Sequence, residues 1–233
     1  LLSLSCQREA VRGSPLRLHV EPAAACAAAC EAEGDGLSVG VAGDGAAFVV
    51  RAMDEGRRPK IMGGEVFEAF LAARGAQGEA LQAFDGRGDG QVTITDLGNG
   101  TYRGTYTPRN AGDFLLHVRL GGAPIRGSPF SVRVCAGVAD AARCALRGDA
   151  ATVGTAGQRE SFRVDTFDRY GNPRAAAKDD AAALVASLLP LKVEQRTGPL
   201  KCTVQAGRDG GSFVVHYAAT VAGEYALALR LDG

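Results

Sequence analysis

The sequence predicts an all-β protein made of β-sandwiches arranged in tandem, and three observations support this fold class. Apolar and polar residues alternate with a period of two through many short runs, which places one face of each strand in a core and the other in water. The 32 glycines and nine prolines lie mostly between those runs, as expected for the turns of an all-β fold. Self-similarity at a fixed offset indicates a repeated structural unit.

The internal repeat sets the register of two units. The tripeptide Gly13-Ser14-Pro15 recurs 114 residues later as Gly127-Ser128-Pro129. The same offset pairs Asp54 with Asp168, and toward the end of each unit the offset falls to 111 residues. A three-residue deletion between strands explains the change, because loops tolerate changes in length.

From this register we expect three segments. Residues 1–21 contain VRGSPLRLHV, which matches only the final strand of a preceding unit. Residues 22–135 form one complete unit, and residues 136–233 form a second unit that stops before its own final strand. We expect an unpaired edge where that strand belongs, or a neighbouring segment or molecule that fills the gap.

Seven strands are predicted in the complete unit, a number that suits two packed antiparallel sheets. The predicted strands are residues 36–41, 47–52, 66–71, 91–95, 101–107, 113–120 and 129–134. Alternate apolar side chains of these strands are expected to fill the core: Phe48, Val50, Phe67, Tyr102, Tyr106, Phe114, Leu116, Val118, Phe130 and Val132.

The stretch from residue 96 to residue 134, DLGNGTYRGTYTPRNAGDFLLHVRLGGAPIRGSPFSVRV, resembles the last three strands of a filamin-type immunoglobulin-like repeat. The phrases GNGTYRGTYTP, AGDF and GGAPIRGSPF are close to the usual sequence of that family. The resemblance covers nearly the whole chain. It implies tandem immunoglobulin-like β-sandwiches that act as binding or structural modules and not as enzymes.

Charge and motif content argue against several function classes. Lys and Arg together number 26, as do Asp and Glu, so the formal net charge is +0 and the chain has little electrostatic attraction for nucleic acid or anionic membranes. The mostly apolar stretch at residues 181–189 is closed by Pro190 and is too short to span a bilayer. No GxxxxGKS or HExxH motif occurs, and we expect no catalytic residues and no cofactor.

Three short motifs each have a plainer structural explanation. Residues 85–96 resemble a calcium-binding loop, but Arg87 places a cation where an oxygen ligand is needed, and a glycine-rich loop followed by a strand explains the same residues. Arg87-Gly88-Asp89 and Arg147-Gly148-Asp149 are adhesion-type tripeptides in a chain rich in Gly, Arg and Asp. Asn99-Gly100-Thr101 is a formal glycosylation sequon and also a favourable tight turn.

The cysteines favour reduced thiols over a disulfide framework or a metal site. Cys30 and Cys144 are equivalent positions of the two units, while Cys26, Cys135 and Cys202 have no counterparts, unlike a regular set of disulfides. With no paired CxxC motifs and no nearby ligand set beyond His19, a zinc site has little support.

The resemblance also implies where a partner binds. In filamin-type repeats a partner commonly docks as an extended peptide beside the third strand, in the groove between the third and fourth strands. This is strand addition, in which an open edge supplies main-chain hydrogen bonds and side-chain pockets supply selectivity. Carried onto this sequence, the groove residues are Val66, Glu68, Phe70, Gln91, Thr93 and Thr95.

Strand alternation sets the orientation of Phe70. If Phe67, Ala69 and Leu71 point inward, Phe70 is an exposed aromatic ring beside an open edge; the alternative is that it packs under the loop formed by residues 73–90. In the second unit the matching edge lies near residues 184–188, where Pro190 and Pro199 would limit pairing.

Two functions from different classes follow from these observations. The first is a structural scaffold or spacer of the cytoplasm, cytoskeleton or cilium, whose repeats bind protein partners through strand edges, with actin or other cytoskeletal filaments as partners of a longer parent protein. The second is an extracellular adhesion protein of the gamete-surface type, built of the same repeats.

Overall fold

The computed structural model describes residues 5–6, 9–17, 23–75, 80–83, 91–174, 184–191, 198–207 and 211–231. Half of the chain is strand, and the two short 3-10 helices are Asp35–Leu37 and Asp149–Ala151. Within the described residues, no helix has the length and apolar character needed to cross a bilayer. The strands are β1 (Ser5–Cys6), β2 (Glu9–Ala10), β3 (Glu31–Glu33), β4 (Val39–Val41), β5 (Ala46–Arg51), β6 (Phe67–Arg74), β7 (Ala80–Ala83), β8 (Thr93–Asp96), β9 (Thr101–Tyr106), β10 (Gly112–Leu120), β11 (Ala123–Pro124), β12 (Phe130–Cys135), β13 (Ala145–Arg147), β14 (Glu160–Asp165), β15 (Leu184–Pro190), β16 (Leu200–Lys201), β17 (Thr203–Ala206), β18 (Ser212–Tyr217) and β19 (Tyr225–Leu231).

The first sandwich consists of strands β3 to β12 in two sheets. One sheet has the order β3-β5-β9-β8, and the other has the order β4-β12-β10-β6-β7 with β11 also paired to β10. The pairs are antiparallel except β4 with β12, which is parallel. The ten side chains predicted for the core all lie between the sheets, although Phe130 is only partly buried.

The predicted first strand, residues 36–41, is wrong in its extent. The structure has β3 before it, a 3-10 turn at Asp35–Leu37, and only then β4, so the chain changes from one sheet to the other. The reason lies at Gly36, where a Cβ would stand 2.5 Å from the carbonyl oxygen of Ala47. This close backbone approach requires glycine, and the Tyr106 hydroxyl donates to the Gly36 carbonyl at 2.6 Å.

The second sandwich repeats the pattern with the sheets β13-β14-β18-β17 and β16-β15-β19. Its core contains Phe162, Val164, Leu184, Ala186, Phe213 and Val215. In the part of the chain that the structure describes, β19 pairs only with β15, whereas the equivalent strand β10 of the first sandwich pairs with both β6 and β12.

The segment before the first sandwich contains a short hairpin, β1 with β2. Residues 11–17 of the predicted VRGSPLRLHV strand form no strand, and residues 18–20 lie outside the described residues. The turn at the start of this segment nevertheless has the same backbone hydrogen bond as the turn that precedes β12. The Ser14 N–H donates to the Val11 carbonyl at 2.9 Å, and the Ser128 N–H donates to the Ile125 carbonyl at 3.0 Å.

Candidate functional site

The outer edge of β6 is only partly covered. On its inner side, β6 pairs with β10 from Phe67 to Ala73. On its outer side, β7 pairs with residues 72–74, and a single bridge joins Phe70 to Gln91. Among the described residues, therefore, no strand pairs with the outer edge of residues 67–69.

The start of β6 is attached to the opposite sheet. The Gly64 N–H donates to Asp96 Oδ2 at 2.7 Å, and the Glu65 N–H donates to the Tyr102 hydroxyl at 2.9 Å. Val66 follows directly and is 75% exposed. The open edge is thus held at both ends, by these two hydrogen bonds and by the bridge at Phe70.

Phe70 points outward from the sandwich, as predicted, while Phe67 and Leu71 are buried in the core. Its ring is half-buried, between the two alternatives of an exposed ring and a ring packed under the loop of residues 73–90. The cover comes from β10: the rings of Phe70 and His117 stack with centroids 4.7 Å apart and planes at 10°. The Arg119 guanidinium lies 5.3 Å from the Phe70 ring centroid, within the range of a cation–π contact.

His117 adds a polar group to this aromatic cluster. Its Nε2 is buried and has no hydrogen-bond partner within the described part of the chain. Burial lowers the pKa of His117, and the positive charge of Arg119 lowers it further. The imidazole is therefore neutral at pH 7. The sequence did not predict that His117 and Arg119 cover Phe70. That contact depends on the pairing register of β6 and β10, which sets Phe70 opposite His117, and one strand alone does not specify it.

The structure separates the predicted wall of the groove into two parts. Gln91 lies beside Phe70 on β6. Thr93 and Thr95 pair with Thr105 and Arg103 on the opposite sheet. All three wall residues are exposed, as is Glu68 on the edge. The fourth strand therefore leaves β6 after Gln91 and joins the opposite sheet.

The matching edge of the second sandwich is covered over residues 186–188. Strand β16 pairs with Ser187 and Leu188 of β15, and the Cys202 N–H donates to the Ala186 carbonyl at 3.1 Å. Pro190 is the last residue of β15 and pairs with Tyr225 of β19, on the inner side of the strand, while the outer pairing with β16 reaches only Ser187 and Leu188.

The remaining motifs occupy ordinary turns where the structure describes them. Arg147 lies in β13 and its Nε is 3.2 Å from Asp165 Oδ2, while Asp149 begins a 3-10 turn. The Asn99 side chain accepts hydrogen bonds from the N–H and hydroxyl of Thr101. Residues 85–90, which hold the first adhesion tripeptide and half of the calcium-like loop, lie outside the described residues.

No group of three or more His, Cys, Asp or Glu side chains in the described segments is arranged to hold a metal ion. The cysteines whose side chains the structure describes are free thiols: Cys26, Cys30, Cys135, Cys144 and Cys202. Burial raises the pKa of Cys30 and of Cys202, which makes these two thiols less reactive.

A sequence profile of the Filamin/ABP280 repeat matches residues 24–131 and 138–233. The chain is 33% identical over 111 residues to the flagellar outer-arm dynein alpha chain of Chlamydomonas reinhardtii, covering 45% of this chain and 2% of that protein. It is 34% identical over 131 residues to Filamin-A of Drosophila melanogaster, covering 55% of this chain and 5% of that protein. Each alignment thus spans a small fraction of the relative's own length.

Solved structures show the same fold at low sequence identity. The Escherichia coli adhesin FdeC superimposes with a TM-score of 0.61 and 17% identity, over 92% of this chain and 63% of that one. At this level of identity the likeness extends to the immunoglobulin-like fold alone.

Proposed function

The chain belongs to the Filamin/ABP280 repeat family, and from this premise we propose that it is a structural module that binds protein partners by strand addition along β6. We take residues 22–135 as the binding repeat and residues 136–233 as a second repeat lacking its final strand. Residues 1–21 correspond in sequence to the last strand of a preceding repeat. The family is a structural and non-enzymatic one, and we propose no catalytic activity for this chain.

The unpaired outer edge of residues 67–69 is the observation that carries the proposal. An extended peptide laid along it would gain main-chain hydrogen bonds. Its side chains would meet Val66 and Glu68 on the outward face, and its far end would reach the Phe70 ring. Gln91, Thr93 and Thr95 would form the polar wall opposite, because the fourth strand diverges there.

The cytoskeleton or cilium is the compartment we propose. The support is that the matched relatives include a flagellar outer-arm dynein chain and Filamin-A. Actin or another cytoskeletal filament would then be a partner of the longer parent protein.

Selection of peptides from a random 12-residue display library on the 233-residue protein tests the binding edge. Selected peptides should shift backbone amide resonances of residues 66–70 in nuclear magnetic resonance spectra. Val66→Glu and Phe70→Ala should each weaken binding about tenfold or more. Val39→Glu, at an exposed position on the far edge of the same sheet, is the matched control and should leave binding unchanged. Peptides that bind both edge variants as well as the wild type would refute this binding site.

A cell-surface adhesion protein is the second candidate, and the exposed Asn99 sequon favours it. The turn presents Asn99 to solvent, as an acceptor for a glycan must be. Mass spectrometry of the protein isolated from its own cells separates the two candidates. A glycan on Asn99 establishes the secretory route and overturns the cytoskeletal proposal, and an unmodified Asn99 in every molecule removes this support for adhesion.

A further inference from the structure

The turn between β14 and β15 contacts the first sandwich through Asn172. The side-chain Nδ2 of Asn172 donates to the Arg109 carbonyl at 2.6 Å, and its Oδ1 accepts from the Ala111 N–H at 2.9 Å. One amide therefore pairs with both an acceptor and a donor of the turn that leads into β10. The amide is 9% exposed, so these hydrogen bonds are largely shielded from water.

Asp168 holds this amide and the linker between the sandwiches. Asp168 is fully buried, and its Oδ2 accepts from Asn172 Nδ2 at 2.8 Å and from the Gly137 N–H at 2.9 Å. Its Oδ1 accepts from the N–H groups of Tyr170 and Asn172, both at 2.9 Å. Burial alone would raise the pKa of Asp168, but these hydrogen bonds together lower it, so the carboxylate is ionised at neutral pH.

Tyr170 supplies an apolar contact beside the hydrogen bonds. Its side chain packs, partly buried, against the core of the first sandwich. It lies so near Gly43 that a Cβ at Gly43 would stand 2.8 Å from the Tyr170 ring. The Arg169 guanidinium lies 4.8 Å from the ring centroid. The second sandwich thus inserts a ring into a notch of the first that only glycine leaves open.

The equivalent turn of the first sandwich keeps the carboxylate and lacks the two contacting side chains. Asp54 accepts from the Arg58 N–H and the Arg58 Nε, both at 2.9 Å. The repeat offset places Gly56 at the position of Tyr170 and Arg58 at the position of Asn172. The turn therefore folds without a ring or an amide at these positions, which means that Tyr170 and Asn172 serve a purpose beyond the turn itself.

We infer that the turn Arg169–Asn172 is an interlock that holds the two repeats in one fixed orientation. Its partner surface is the notch at Gly43 together with the Arg109 and Ala111 backbone. Tension along the chain then passes through this contact instead of bending the linker at residues 136–139. The inference does not depend on peptide binding by β6.

Rotational diffusion of the 233-residue protein, measured by backbone amide relaxation, tests the interlock. Wild-type repeats should share one rotational diffusion tensor. The Tyr170→Ala variant keeps the hydrogen bonds of Asp168, because their donors are backbone N–H groups and the Asn172 side chain, so the second repeat stays folded. The double variant Tyr170→Ala with Asn172→Ala should release the contact between the repeats. The effective correlation time of each repeat should then fall by up to about twofold as the repeats reorient separately.

Arg58→Ala is the matched control, because it alters the equivalent turn without touching the joint; it should keep one shared tensor. Retained amide dispersion in both repeats shows that each variant is folded. If the double variant fails to fold, Tyr170→Ala alone must increase the independent motion of the repeats. Independent tumbling of the wild-type repeats would overturn the inference. So would a shared tensor in the folded double variant or, where the double variant does not fold, in the folded Tyr170→Ala protein.

Discussion

The two repeats have the same strand order but differ at two equivalent places. In the first repeat no described strand pairs with the outer edge of residues 67–69. In the second repeat β16 and the Cys202 N–H cover the edge of β15 over residues 186–188. In the second repeat the Asp168 turn reaches the neighbouring sandwich through Tyr170 and Asn172. One sandwich scaffold can thus carry an exposed strand edge in one copy and a contact to the neighbouring repeat in the next.

The largest expected difference between the two repeats is the stability that equivalent core leucines contribute. Leu116 of β10 is fully buried, whereas Leu227, its equivalent in β19, is only partly buried. Leu116→Ala should lower the free energy of unfolding of the first repeat by about 3 kcal/mol, and Leu227→Ala that of the second by about 1 kcal/mol, because less apolar surface is lost. Urea denaturation followed by circular dichroism of each variant checks this, and equal losses would contradict the difference in packing.

The buried carboxylate of the joint should give a smaller but distinct effect. Asp168→Asn replaces an acceptor by a donor facing the Gly137 and Asn172 donors, at a cost of about 1–3 kcal/mol. The pKa of Asp168 is lowered in the folded state. Its stabilising effect is therefore full above its unfolded pKa of about 3.9 and is lost as the pH falls through the folded value.

Denaturation of the wild type and of Asp168→Asn between pH 7 and pH 2 measures this effect. The variant should lose less stability than the wild type on acidification. A parallel decline of both proteins would show that Asp168 does not contribute to the pH dependence.

Lysine substitutions on β15 and beside β6 should differ in their effect on peptide binding while neither changes the stability of the protein. Val66 and Val185 are both exposed, so a lysine at either position should change the free energy of unfolding by less than about 0.5 kcal/mol. Val66→Lys should abolish peptide binding, and Val185→Lys, in β15 next to the covered residues 186–188, should not. Calorimetric titration with a selected peptide checks both, and equal loss in the two variants would remove the distinction between the edges.

The smallest effect concerns the titration of His117. Because burial and then Arg119 lower its pKa, any stability that His117 contributes is full above its unfolded pKa of about 6.5 and declines as the pH falls through the lowered value. Phe70→Ala exposes the His117 imidazole to water, and Arg119→Ala removes the positive charge beside it. Both substitutions should therefore raise the pKa of His117. Imidazole proton shifts recorded against pH measure the change, and a pKa that falls in either variant would contradict the assigned causes.

Much of the first repeat could be predicted from residue alternation. Phe48 and Val50, two residues apart, are both buried in β5, and Phe67 and Leu71 are buried while Phe70 points outward. Strand β7 was not predicted, since it is placed by pairing with residues 72–74 and Ala80–Ala83 has little strand propensity of its own. The break between β3 and β4 was missed because it depends on how closely Gly36 approaches Ala47.

The sequence by itself determined the fold class, the repeat register and the family, because alternation and self-similarity are properties of the chain alone. The tertiary structure alone decided which edges are covered and which side chains cross between the repeats. Tyr170 and Gly43 are far apart in sequence, as are Phe70 and His117, and no local pattern specifies such contacts. They arise when packed sheets bring distant turns and strands together, and both the binding edge and the interlock depend on them.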